Sequence, residues 1–205
     1  MYQLYTYPVS QHARRVVALL EIAELPYEAV HVAMEKGEYL SPEYLAINPN
    51  HQIPTLLDGD VKIHESNAIL RYLCLKHDLE QWYPKELSRR AAVEQWLDWG
   101  QCRLSPAVVD IVLYTVFMPE ENNQEAISRG HKAMEELSRI LSDGLKGRAF
   151  LSGDSPTIAD LSLASSITHL ALAGATPSQP EITNWLERVC AIKGFQKTLP
   201  KMDVA

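Results

Sequence analysis

The stretch TLLDGDVKIHESNAILRYLCLK, residues 55–76, decides the fold. Thr55 to Leu57 and Val61 to His64 are short apolar runs on either side of Asp58-Gly59-Asp60. A turn centred on Asp-Gly between two such runs predicts a β-hairpin. From Ser66 to Lys76 the period changes, and Ala68, Ile69, Tyr72 and Leu73 recur on one helical face. This one stretch therefore predicts strand, strand, helix.

Working upstream, residues 33–53 form a polar connection with a short helix near Pro42 to Ile47. Before it, Tyr2 to Tyr7 is a tyrosine-rich strand. Ala13, Val16, Val17 and Leu20 then mark a helix that extends to Ala23 and is ended by Pro26. Tyr27 to Val32 is a second strand. Strand, helix and strand in this order make a βαβ crossover with parallel strands. Joined to the hairpin and its helix, the first part reads βαβ-ββα. That is an α/β, thioredoxin-like arrangement with a mixed four-stranded sheet.

Downstream of about residue 88 the strand signal stops. Val93, Trp96, Leu97, Gly100 and Leu104 share a helical face, and Pro106 is expected to kink or divide that helix. Further helices are predicted from Gln124 to Asp143, after Thr157, and around Ile182, Trp185, Leu186 and Val189. The expected organisation is a domain over 1–78, a linker over 79–87 and an all-α helical bundle over 88–205.

Composition narrows the function classes. Of 205 residues, 46% are hydrophobic and 22% charged, as in ordinary globular domains. No run approaches the roughly 18 uninterrupted apolar residues that span a bilayer, and the N-terminus lacks a secretory pattern, so no membrane association is expected. A net charge of −7 with scattered Lys and Arg argues against nucleic acid. Cys74, Cys102 and Cys190 are odd in number and far apart. They are expected to be core residues in a reducing, cytoplasmic setting, with no metal site.

Three places carry chemistry. Ser10 stands between the first strand and the first helix, where a serine caps the helix. The same position suits an anion, since the helix N-terminus offers N–H groups and a positive dipole end. A free thiol has a pKa of about 8.5, and lowering it by roughly two units takes about 2.7 kcal/mol of preference for the thiolate. A charge-assisted hydrogen bond plus the dipole is of that order. The second place is Asn48-Pro49-Asn50-His51-Gln52-Ile53-Pro54-Thr55. A proline leading a strand is ordinary, but a cis Ile53–Pro54 bond would turn the Ile53 backbone toward an extended peptide. The third is Glu65-Ser66-Asn67, which either caps the next helix or holds an amino-acid head group. In the second case Glu65 takes the ammonium and the helix start takes the carboxylate.

Together these motifs make the chain resemble the cytosolic glutathione transferases along essentially its full length. The resemblance rests on Ser10-Gln11-His12-Ala13-Arg14-Arg15 after the first strand, on Asn48-Pro49 with Ile53-Pro54-Thr55-Leu56, and on Glu65-Ser66-Asn67-Ala68-Ile69. It is nearest the serine-type, theta-like and bacterial members. Thr157-Ile158-Ala159-Asp160 is similar to the family's buried capping box.

The resemblance implies that glutathione is a co-substrate and that Ser10 donates to its thiolate. Ile53, ahead of Pro54, would pair with the cysteinyl backbone, and Glu65 and Ser66 would hold the γ-glutamyl end. His51, Gln52 and Tyr39 would lie toward the glycyl arm, where the theta pattern has other residues and Lys36 is a substitute cation. Tyr5 and Tyr7 are rival thiolate donors. The helical domain would carry the electrophile pocket, with His12, Trp99, Arg103 and Tyr114 as candidates. A homodimer, a detoxification role and no metal or redox cofactor are also implied. The alternatives are an interaction or regulatory module of the same fold with little catalysis, or a glutathione-dependent dehalogenase.

Overall fold

The computed structural model describes residues 1–199. They form two compact units: Met1–Leu79 with the chain from Ile192 onward, and Glu80–Ala191.

In the first unit, β1 (Tyr2–Thr6), α1 (Gln11–Ile22) and β2 (Tyr27–His31) are followed by α2 (Pro42–Leu45), β3 (Thr55–Asp58), β4 (Val61–His64) and α3 (Ser66–Lys76). The sheet order is β2-β1-β3-β4, with β1 parallel to β2 and antiparallel to β3. The mixed four-stranded sheet is the one read from the sequence. Leu4 and Leu56, directly opposite in the β1–β3 register, are both fully buried. Val16, Leu19 and Leu20 of α1 and Ile69, Leu70 and Leu73 of α3, the apolar stripes of the two helices, are also fully buried, and the two helices pack together. At the hairpin, the Tyr72 hydroxyl donates to the Asp58 carboxylate at 2.5 Å, and Lys76 also pairs with it. Both partners hold the Asp58 carboxyl below its ordinary value.

A short helix, α9 (Lys193–Gln196), returns to this unit and packs on α1. Gly194 makes the approach possible, because a Cβ there would lie 2.5 Å from Ile22 Cγ1 and 2.7 Å from its backbone N. Lys197 Nζ closes the contact on Glu21 at 2.6 Å.

The second unit contains α4 (Leu87–Trp99), α5 (Ser105–Val112), α6 (Gln124–Leu145), α7 (Ile158–Leu170) and α8 (Pro180–Cys190). Pro106 does not divide the first of these helices. The chain stays helical from Leu87 to Phe117, passing through wide π turns at Gly100–Leu104 and Leu113–Phe117. The first π turn directly precedes Pro106, which cannot donate to the usual i−4 carbonyl. Every residue of α7 is buried. The capping box at its start is present, and the Asp160 carboxylate accepts from Thr157 N at 2.8 Å, Leu151 N at 2.9 Å and Trp185 Nε1 at 2.8 Å. Among the described residues no helix is long and apolar enough to cross a membrane.

The cysteines depart from expectation at one position. Cys74 is buried and Cys190 is partly so, but Cys102 is exposed. It lies on the π turn, where the helical register read from the surrounding apolar residues shifts.

Candidate functional site

Strand register brings the three chemical motifs to one end of the sheet. Tyr5 near the end of β1 pairs with Thr55 at the start of β3, and Thr55 pairs with His64 at the end of β4. Adjacent strands are about 4.8 Å apart. The loop to Ser10, the Ile53–Pro54 step and the Glu65-Ser66 step therefore leave the sheet side by side. β2 ends there too, since Thr6 pairs with His31. This is the carboxyl end of the two parallel strands, where open α/β sheets bind ligands. A buried bond from Arg15 Nη1 to Asn67 Oδ1, 3.3 Å long, ties α1 to the first turn of α3 at that end.

Ser10 is the N-cap of α1, with extended backbone at φ −70 and ψ 119. Its Oγ accepts from Ala13 N at 3.2 Å. A hydroxyl has one donor and two acceptor sites, so capping uses a lone pair and leaves the proton. Among the described residues nothing else accepts that proton. His12, two positions on, is half-buried.

The rival tyrosines lie on and just after β1. The Tyr5 ring packs 5.7 Å from that of Tyr44. Tyr7 lies 5.6 Å from His31, and burial together with Glu35 pushes its hydroxyl above its ordinary pKa. The Tyr7-Pro8-Val9 turn borders a cleft of about 480 Å³, shared with Arg14, His31 and Leu199.

The Ile53–Pro54 bond is cis. The loop before it is held by two buried residues for which sequence reasoning found no role. Asn48, fully buried, donates through Nδ2 to Gln52 O at 2.8 Å and to Thr55 Oγ1 at 3.0 Å. Its Oδ1 accepts from Asn50 N at 3.0 Å. The Tyr44 hydroxyl donates to Gln52 O at 2.6 Å. The Asn-Pro pair was the available signal for Asn48, whereas Tyr44 carried none. Gln52 and His51 themselves are exposed, and His51 has φ +47. Its ring lies 6.4 Å from that of Tyr39, so these two candidates do come together. Lys36 is exposed on the preceding turn.

Glu65 precedes α3 with φ +68 and ψ 108 and makes no capping bond with its side chain. Positive φ is rare and costly outside glycine. Among the described residues the exposed Glu65 carboxylate has only a distant ionic neighbour, His64, at 4.0 Å. Ser66 is buried beside it, at the positive end of the α3 dipole.

The other electrophile-pocket candidates lie in the helical unit. Trp99 stacks edge-on against Trp96 at 5.3 Å, and Arg103 is exposed 3.8 Å from Glu136. Tyr114 sits half-buried in the second π turn. Among the described residues no group of three His, Cys, Asp or Glu is arranged to hold a metal ion.

Comparison with known proteins agrees with this geometry. Residues 1–74 match the family model "Glutathione S-transferase, N-terminal domain", and residues 104–193 match the C-terminal domain model. Glutathione S-transferase GstB of Escherichia coli is 33% identical over 194 residues, covering 93% of this chain and 93% of that protein. Glutathione S-transferase T2 of Arabidopsis thaliana is 34% identical over 176 residues, 82% of this chain but only 30% of that longer protein. The crystal structure of human glutathione transferase theta-2, in complex with glutathione, superposes with a TM-score of 0.87 at 32% identity, over 97% of this chain and 86% of that one. The two family models, this similarity to transferases of known structure, and the chemistry gathered at one end of the sheet identify the chain as a member of the glutathione S-transferase family, whose activity is glutathione transfer.

Proposed function

We propose that the protein activates glutathione through Ser10 and transfers it to an electrophilic small molecule. The observation that carries this reading is the Ser10 hydroxyl, fixed by its own capping bond with its proton still available. The thiol loses its proton to solvent, and the Ser10 O–H and the α1 dipole stabilise the remaining thiolate. The sulfur lone pair then forms a bond to the electrophilic carbon. A leaving group departs with its bonding electrons, or a proton adds to the neighbouring atom. Ile53 pairs with the cysteinyl backbone; among the described residues no donor or acceptor meets its own backbone. Glu65 takes the α-ammonium, and Ser66 with the α3 N-terminus takes the α-carboxylate. His51, Gln52 and Tyr39 lie along the glycyl arm. The electrophile would be held by the helical domain, with His12, Trp99, Arg103 and Tyr114 as the candidate residues.

The same reading makes the protein a cytoplasmic detoxification enzyme that works as a homodimer. Val61 on β4 and Leu75 on α3, 46% and 56% exposed, are apolar side chains of the first unit that a subunit contact would cover.

The test is the ultraviolet thiolate band of bound glutathione, followed against pH. The native chain is expected to lower the thiol pKa by roughly two units, worth about 2.7 kcal/mol. Ser10→Ala is expected to return most of that shift while still binding glutathione. An alanine variant that lowers the pKa as far as the native chain would leave Ser10 a cap only.

A further inference from the structure

Gln11 is the first residue of α1, directly after Ser10, and is only 3% exposed. Its Oε1 is buried, and among the described residues it has no hydrogen-bond partner. Buried polar atoms are nearly always satisfied, so this orphan needs an explanation. Gln11 and Arg15 are four residues apart and share one face of α1. Arg15 reaches Asn67, so that face looks onto the first turn of α3, where Glu65 and Ser66 stand. A carboxamide oxygen there is an acceptor waiting for a donor. In a γ-glutamyl group the donor is the α-ammonium, which carries three N–H bonds, more than Glu65 alone takes up.

We infer that Gln11 is a binding residue for the γ-glutamyl end of glutathione, its carboxamide oxygen accepting from the α-ammonium alongside Glu65. This rests on the glutathione reading above and adds to it a second, uncharged acceptor. The carboxylate of Glu65 supplies attraction from an exposed position. Gln11 supplies a buried, directed bond that a ligand without the ammonium cannot form.

The test is calorimetric titration of the full chain with glutathione and with glutaryl-cysteinylglycine, the same tripeptide lacking the α-ammonium. Gln11→Met keeps the shape and removes the acceptor. It is expected to weaken glutathione binding about tenfold, as for a hydrogen bond to a charged group, and to change binding of the analogue less than twofold. Equal losses for both ligands, or no loss for glutathione, would overturn the assignment. Gln11→Glu retains an acceptor and is expected to keep the preference for glutathione over the analogue. If the methionine variant does not fold, this preference decides: its loss overturns the assignment and its retention supports it. A native chain that binds neither ligand overturns the parent reading and the role of Gln11 with it. A native chain that binds both equally overturns the ammonium contact alone.

Discussion

Glu65 carries the clearest conflict between stability and function at a single residue. Its φ of +68 suits glycine and costs a side chain on the order of 1–3 kcal/mol. Glu65→Gly removes that strain and adds back about 0.5–1 kcal/mol of chain entropy, so a net stabilisation of about 1 kcal/mol is expected by urea denaturation. The same variant loses the carboxylate proposed to face the ammonium, and its glutathione affinity is expected to fall at least tenfold. A variant that is less stable, or that binds glutathione normally, contradicts this account. The identity of Glu65 was legible in the sequence, because an acid followed by Ser-Asn at a helix start has a chemical meaning. Its backbone conformation was not, since φ is set by how β4 hands the chain to α3. Tyr44 and Asn48 were hidden for a similar reason. Their polar groups converge on Gln52 O and Thr55 Oγ1 only once the connection has folded. Ser10 could be read as a cap because that role comes from one local position, and the donor role proposed for it would use the same position.

The elements themselves were read by period, and the misses fall where period breaks. Pro106 is expected to kink or divide the helix that begins with α4; the helix is not divided, because the π turns absorb the missing N–H and shift the register. That shift also puts Cys102 outside. Start signals survive better, because they depend on few neighbours. Asp160 at the start of α7 binds donors from Thr157, from Leu151 and from Trp185 in α8. Burial pushes its carboxyl above the ordinary value, and those donors act against that push. Asp160→Ala strands several buried donors, each worth about 1–3 kcal/mol. A loss of at least about 3 kcal/mol is expected in urea, and one below about 1 kcal/mol would show that the donors find other partners. The start of α4 behaves differently because it is exposed. Glu86 accepts from Ser88 Oγ, Ser88 N and Arg89 N, which lower its pKa from 4.5 to about 2. A carboxyl with a lower pKa in the folded state binds fewer protons there than in the unfolded chain. Its contribution is therefore complete above about pH 4.5 and is lost as pH falls toward about 2. Glu86→Gln should flatten stability against pH within that window, and an unchanged acid slope would count against the cap.

At the scale of the molecule, chain order and spatial order part company. The chain leaves the first unit at Leu79 and returns to it at Ile192. No short-range pattern announces the return: α9 is four residues long, too short to show a period. Its anchor is a shape match, Gly194 against the end of α1, followed by the Lys197–Glu21 pair. The start of α1, where the proposed thiolate donor Ser10 stands, thus belongs to a unit completed by residues nearly at the other end of the chain. Gly194→Val forces side-chain atoms against Ile22 backbone that cannot yield, with N and Cα 2.7 and 3.0 Å from the new Cβ. Overpacking of this kind costs about 1–3 kcal/mol. The four tryptophans, Trp82, Trp96, Trp99 and Trp185, all lie in the second unit, so their fluorescence reports on that unit. Loss of glutathione binding reports on the first. In a urea series the binding transition of Gly194→Val is expected at lower denaturant than in the native chain, ahead of the tryptophan transition. An unchanged binding midpoint would mean that α9 is not needed to complete the first unit. If both transitions move together, the strain at Gly194 is shared by the whole chain, and its two units unfold as one.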